Sequence, residues 1–162
     1  IDTVIHLAAS ANVLDSVLNP ITYYQNNVVN SIKLLKAMRE NNVNKIIFSS
    51  TAAVYGEPKI DLIDEECPLE PINPYGKSKL MFERILNDCH LAYGLNYQSL
   101  RYFCVAGATE LNGELRKNKE THLIPSLIDT ALGKRDYLTI FSHFLTMPSK
   151  SLINSNNRVL VC

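Results

Sequence analysis

Tryptophan is absent from this 162-residue chain, glycine and methionine are scarce, and 16 basic residues cancel 16 acidic ones. That balance leaves no basic footprint for nucleic acid and no polybasic run for an anionic membrane surface. No apolar run approaches the length needed to cross a bilayer, and no secretory leader opens the chain. The four cysteines, Cys67, Cys89, Cys104 and Cys162, form no Cys-x-x-Cys pair. Their scatter argues against a metal knuckle or a dense disulfide framework and fits a cytoplasmic protein. The six glycines, at 56, 76, 94, 107, 113 and 133, form no Gly-x-Gly-x-x-Gly turn. Acidic residues are missing altogether from Ser142 to Cys162, a stretch with four serines and three asparagines. A tail of that composition is expected to be irregular.

What is present reads as alternating strands and helices. Ile1 to Ala9 has the pattern of a buried strand without any lead-in, which predicts a chain beginning inside a domain. A loop over Ser10 to Asn19 precedes a helix from Pro20, capped by Asn19, to about Asn42, with Tyr24, Val28, Leu35 and Met38 recurring at helical spacing. Asn26 and Asn27 are poor helix formers in its interior and either cap, face solvent or serve a site. Lys45 to Thr51 is an apolar run without alternation, the mark of a covered strand, and its carboxyl end is the polar Ser49, Ser50 and Thr51. Gly56 to Asn73 reads as a loop, Pro74 to Tyr93 as a helix stopped by Gly94, and Tyr97 to Phe103 as a third strand. Leu123 to Leu132 is a short helix ended by Gly133, and Tyr137 to Phe141 a last strand. This order predicts an α/β fold with a doubly wound parallel sheet, incomplete in its N-terminal half, over 1–141, followed by the tail 142–162.

The chemistry concentrates in Pro74-Tyr75-Gly76-Lys77-Ser78-Lys79. A helix starting at Pro74 places Tyr75 and Lys79 on one face about a turn apart. A phenol with a pKa of about 10 is a poor base at neutral pH, but a neighbouring ammonium favours its phenolate, and the pair can then take a proton from an alcohol. Spacing alone is weak, since Tyr55 and Lys59 match it too. There, however, Pro58 disfavours a helix at Glu57.

Seven ordered segments add specificity. They are His-Leu-Ala-Ala at 6–9, Tyr-Tyr-Gln-Asn-Asn-Val at 23–28, Phe-Ser-Ser-Thr-Ala-Ala-Val-Tyr-Gly at 48–56, Pro-Tyr-Gly-Lys-Ser-Lys at 74–79, Arg-Tyr-Phe at 101–103, Val-Ala-Gly-Ala-Thr at 105–109 and Glu-Thr-His-Leu-Ile-Pro at 120–125. Together they resemble the extended short-chain dehydrogenase/reductase family and, within it, the NAD-dependent epimerases of UDP-sugars. The resemblance implies a Rossmann-like fold, NAD as cofactor and a homodimer when complete. It also implies interconversion of UDP-glucose and UDP-galactose through a 4-keto sugar. It makes Tyr75 the base, Lys79 the residue that lowers its pKa and holds the nicotinamide ribose, and Thr51 the hydroxyl that bonds the reacting sugar oxygen. Leu7, Ala8, Ala9, Ser10, Ala11, Asn26 and Phe103 would border the cofactor. Cys104, His122, Leu123, Thr139, Ile140 and Phe141 would face the nucleotide-sugar.

Departures from the family pattern matter equally. Related dehydratases carry an acid just after the Thr51 position, whereas Ala52 and Ala53 stand here and cannot titrate, favouring oxidation at one carbon over loss of water. Cys104 occupies a position where the family places Asn, and a thiol is the weaker hydrogen-bonding group. The Gly-rich pyrophosphate turn and the segments expected beyond Phe141 are not in the sequence. Two alternatives therefore stay open: an epimerase or reductase of another nucleotide-sugar, and a non-catalytic remnant that partners a complete subunit.

Overall fold

The computed structural model describes residues 1–58, 62–105, 107, 109–110, 123–140 and 145–148. Its residues fall into two compact units, Ile1–Phe103 and Cys104–Cys162. The first is built on three parallel strands, β1 (Val4–His6), β2 (Lys45–Thr51) and β3 (Asn96–Tyr102), hydrogen-bonded in that order. His6 pairs with Phe48, and Ser50 and Thr51 pair with Arg101 and Tyr102, so β2 and β3 end level while β1 stops three residues short of them. Parallel neighbours need helical crossovers, and sequential strand order brings both crossovers to the same face. The arrangement is Rossmann-like.

On that face Ile46 and Phe48 of β2 pack with Leu35 and Met38 of α3 (Asn30–Glu40) and with Phe82 and Leu86 of α4 (Pro74–Tyr93). Phe48 and Phe82 meet edge to face with centroids 4.9 Å apart, the arrangement aromatic quadrupoles favour. α4 begins where the sequence says it should. Asn73 caps it by accepting from the Gly76 N–H at 2.8 Å, and Gly94 ends it in the left-handed region at φ 73°. A second cluster, Val54, Tyr55, Cys67 and Leu80, seats the loop over 62–73 and the 3₁₀ turn Ala52–Tyr55 against α4.

The first crossover differs from expectation. The segment from Ser10 to Asn19 contains a helix, α1 (Val13–Leu18), capped by Asn12, whose side chain accepts from the Asp15 N–H at 3.1 Å. Asn19 makes no side-chain cap to the next helix and instead donates to Asp15. The single helix expected over 20–42 is three pieces: α2 (Pro20–Tyr24), a π-helical turn over Gln25–Val29, and α3. The wider turn shifts the inward face, so Tyr23 is buried in place of Tyr24. β3 starts and ends one residue earlier than expected.

In the second unit α5 (Leu123–Ala131) and β4 (Tyr137–Ile140) match expectation within a residue, and Phe141 lies outside the described residues. β4 pairs antiparallel with β5 (Leu145–Pro148), so four residues of the expected irregular tail form a strand. The rest of 142–162, and Lys59 of the second Tyr-x-x-x-Lys match, lie outside the described residues.

Candidate active site

Thr51, Tyr75 and Lys79 come together where β2 ends and α4 begins. Thr51 is the last residue of β2 and turns its hydroxyl to accept from the Ala53 N–H at 3.2 Å. Tyr75 lies near Thr51, whose side chain draws the phenol's pKa down. The contact requires a close approach between the 3₁₀ turn and the helix start, and Gly76 allows it. A Cβ on Gly76 would lie 2.6 Å from the Ala53 carbonyl oxygen and 3.0 Å from the Pro71 side chain. Helix propensity alone makes Gly76→Ala stabilising by up to about 1 kcal/mol. We expect the opposite, a loss of about 1–3 kcal/mol in urea unfolding, because the clash is with backbone.

Lys79 is 3% exposed, and its ammonium donates to the Ser49 carbonyl at 2.8 Å. It sits 4.8 Å from the Phe48 ring centroid and 5.9 Å from that of Tyr75. Burial pushes its pKa down to about 8. The Tyr75 phenol is pushed up by burial, and the opposing pull comes from the neighbouring Thr51 side chain. The sequence reading gives that pull to Lys79. In the structure the ammonium is engaged by a backbone carbonyl, an acceptor that side-chain spacing does not reveal.

A depressed lysine makes a definite pH dependence. Below pH 8 Lys79 is charged in both states, and the folded state bears the burial cost. Between about 8 and its ordinary 10.5 the unfolded chain holds the proton that the folded chain has shed. Stability therefore rises with pH through that window, by on the order of 3 kcal/mol in full. Tyr75 and Tyr23, both raised by burial, act in the opposite sense only above about pH 10. Urea unfolding at pH 8.0 and about 9.5 is expected to show the rise in the parent, and Lys79→Met to abolish it.

At the end of β1, Leu7, Ala8 and Ala11 are exposed while Ala9 and Ser10 are half-buried. Asn26, half-buried in the π turn, donates to the Ser10 hydroxyl at 3.0 Å. Its neighbour Asn27, which the sequence does not mark as a site residue, is 2% exposed and fully engaged. Its carbonyl oxygen accepts from the Ser10 N–H at 2.8 Å, and its amide donates to the Ser10 carbonyl at 2.9 Å and to the Ser78 hydroxyl at 3.0 Å. Ser78 in turn donates to the Tyr75 carbonyl at 2.7 Å. Asn27 thus ties the loop after β1 to the first turn of α4. A half-buried His6 lies 2.8 Å from the Ser31 hydroxyl, and its pKa is lowered by burial and then by Lys79. A cavity of about 550 Å³ opens beside this loop, lined by Ser10, Ile21, Thr22, Gln25, Asn26 and Asn30.

The remaining expected site residues are less concentrated. Phe103, 58% exposed, closes the first unit. Cys104, Leu123, Thr139 and Ile140 belong to the second unit, where Leu123 opens α5 and Thr139 and Ile140 pair with Thr146 and Leu145. His122 and Phe141 lie outside the described residues. Among the described residues no His, Cys, Asp and Glu cluster is suited to a metal ion, and no helix is long and apolar enough to cross a membrane.

A profile of the NAD dependent epimerase/dehydratase family matches residues 1–145. The UDP-glucose 4-epimerase of Halalkalibacterium halodurans is 51% identical over 87% of this chain and 42% of its own length. That of Lactobacillus helveticus is 47% identical over 87% and 43%. A Bifidobacterium longum UDP-glucose 4-epimerase solved with NAD⁺ and UDP superposes with a TM-score of 0.79 at 45% identity, covering 87% of this chain and 43% of that one. The UDP-Glc/GlcNAc 4-epimerase of Campylobacter jejuni gives 0.73 at 46% identity, covering 87% and 44%. The chain spans less than half the length of the curated relatives it matches.

Proposed function

The chain belongs to the NAD dependent epimerase/dehydratase family, and from that premise we propose that it is part of a UDP-glucose 4-epimerase, a cytoplasmic homodimer when complete. The observation that carries this reading is the grouping of Thr51, Tyr75 and Lys79 at one strand end, with the untitratable Ala52 and Ala53 next in line. Leu7, Ala8, Ala9, Ser10, Ala11, Asn26 and Phe103 would hold NAD. The donor set suits it: an exposed apolar strip at a strand's carboxyl end, flanked by an amide and backed by a buried ammonium. Bound NAD would supply the reversible hydride acceptor.

The chain's own groups handle the proton. Tyr75 takes it from the sugar 4-hydroxyl and later returns it, while Thr51 orients that oxygen by hydrogen bonding. With its pKa raised by burial, Tyr75 needs positive charge nearby to act as a base, and Lys79 is placed to supply it. Cys104, His122, Leu123, Thr139, Ile140 and Phe141 would contact the nucleotide-sugar. The absence of a second acid after Thr51 favours epimerisation over dehydration.

The test joins residues 1–140 to the remaining segments of a complete relative and follows UDP-sugars by NMR. We expect UDP-glucose and UDP-galactose to interconvert without release of a 4-keto-6-deoxy sugar. Appearance of the dehydrated sugar would overturn the reading. Turnover of N-acetylated UDP-sugars alone would move it to another epimerase of the family.

A further inference from the structure

Tyr75 and Lys79 have a third companion on their face of α4. Glu83 follows Lys79 by four residues, so the three side chains form one stripe at helical spacing. Each engages one of the last three residues of β2. Tyr75 lies near Thr51, Lys79 donates to the Ser49 carbonyl, and Glu83 accepts from the Ser50 hydroxyl. Ser50 and Glu83 are 3% and 7% exposed, too buried for water to substitute for the lost partner. Glu83 is gripped from the other side by Arg101, which donates to its two carboxylate oxygens at 2.8 to 3.3 Å. Arg101 stands opposite Ser50 in the sheet and also donates to the Tyr55 hydroxyl at 3.0 Å. Glu83 therefore joins α4, β2 and β3 at one point, with the 3₁₀ turn held through Arg101.

We propose that Glu83 is a positioning residue, which acts through Ser50 and Arg101 to set where Thr51 stands against Tyr75. The functional stripe of α4 is then Tyr-x-x-x-Lys-x-x-x-Glu. The carboxylate touches neither sugar nor cofactor. Its effect is on the register of the strand end, since Ser50 is the residue next to Thr51 and moves with it. The inference rests on Tyr75 and Thr51 being the working pair of the proposed function.

The test titrates Tyr75 in the full 162-residue chain, without sugar or NAD, by NMR of tyrosines labelled at Cζ. Tyr75→Phe assigns its resonance, and Tyr23→Phe that of the neighbouring phenol. Thr51 pulls the Tyr75 midpoint down, so Ser50→Ala and Glu83→Gln should each raise it, by on the order of one pH unit. Leu86→Ala removes a fully buried apolar side chain further along α4 that takes no part in the hydrogen bonds to the end of β2, and should leave the midpoint in place. Unmoved midpoints in Ser50→Ala and Glu83→Gln overturn the proposal. An equal rise in Leu86→Ala overturns it too, as a mark of general loosening. Should Glu83→Gln not fold, Ser50→Ala decides alone. A raised midpoint, together with no turnover of any UDP-sugar by the chain joined to the segments of a complete relative, would sink the epimerase reading and leave the positioning intact.

Discussion

Tyr75→Phe, made in the chain joined to the rest of a complete relative, is expected to lower turnover on the order of 10²–10⁴-fold while leaving the melting transition almost unchanged. The ring keeps its place at the start of α4, and only the hydroxyl, whose pKa Thr51 draws down, is lost. Thr51→Ala should cost less, because it removes the group that orients the sugar oxygen but not the group that moves its proton. The measurement is kcat for UDP-galactose conversion with stability recorded in parallel. Equal rates for parent and Tyr75→Phe would remove Tyr75 from the role of base. A loss matched by a collapse in stability would show that the hydroxyl is structural.

Arg101→Met carries the largest expected effect on stability, a loss of about 3–5 kcal/mol in urea unfolding. The ion pair with Glu83 has N–O contact at 2.8 Å, with side chains only 20% and 8% exposed. Methionine fills much of the space but leaves a buried carboxyl with Ser50 as its remaining side-chain partner. Leaving one member of a buried pair uncompensated costs far more than removing both. The double variant Arg101→Met/Glu83→Gln should therefore recover more than half of the loss. If the double variant is no better than the single one, the guanidinium's own contacts with Tyr55, a hydrogen bond at 3.0 Å and a place 5.1 Å from the ring centroid, are what matters.

The segments legible in the sequence are those whose signals are local. β2 appears with the expected bounds because its apolar run is flanked by polar residues, and α4 because Asn73-Pro74 and Gly94 mark its ends. α1 carries no clear sequence signal, because six residues hold too little periodicity and all four of its apolar side chains are exposed. The π turn has no propensity signature, so 20–42 reads as one helix. Tyr75, Lys79 and Thr51 are visible as chemistry-bearing types at a strand end and a helix start. Asn27 and Glu83 are not, because what distinguishes them is partners 51 and 33 residues away, Ser78 and Ser50, which only the fold brings near.

The π-helical turn also acts as a counter of residues. In an α-helix, neighbouring side chains point about 100° apart, which would turn one of Asn26 and Asn27 away from Ser10. The wider turn over Gln25–Val29 lets both reach it. The extra residue that makes this possible is also the one a helix would most readily give up. A single deletion there would heal into an unbroken α-helix with its backbone hydrogen bonds complete. Yet Pro20–Tyr24 would be rotated by about 100° relative to α3, taking Tyr23 away from its bond to the Asn12 carbonyl. Length in this segment is thus as informative as residue identity, and a one-residue gap here would alter the site more than many substitutions.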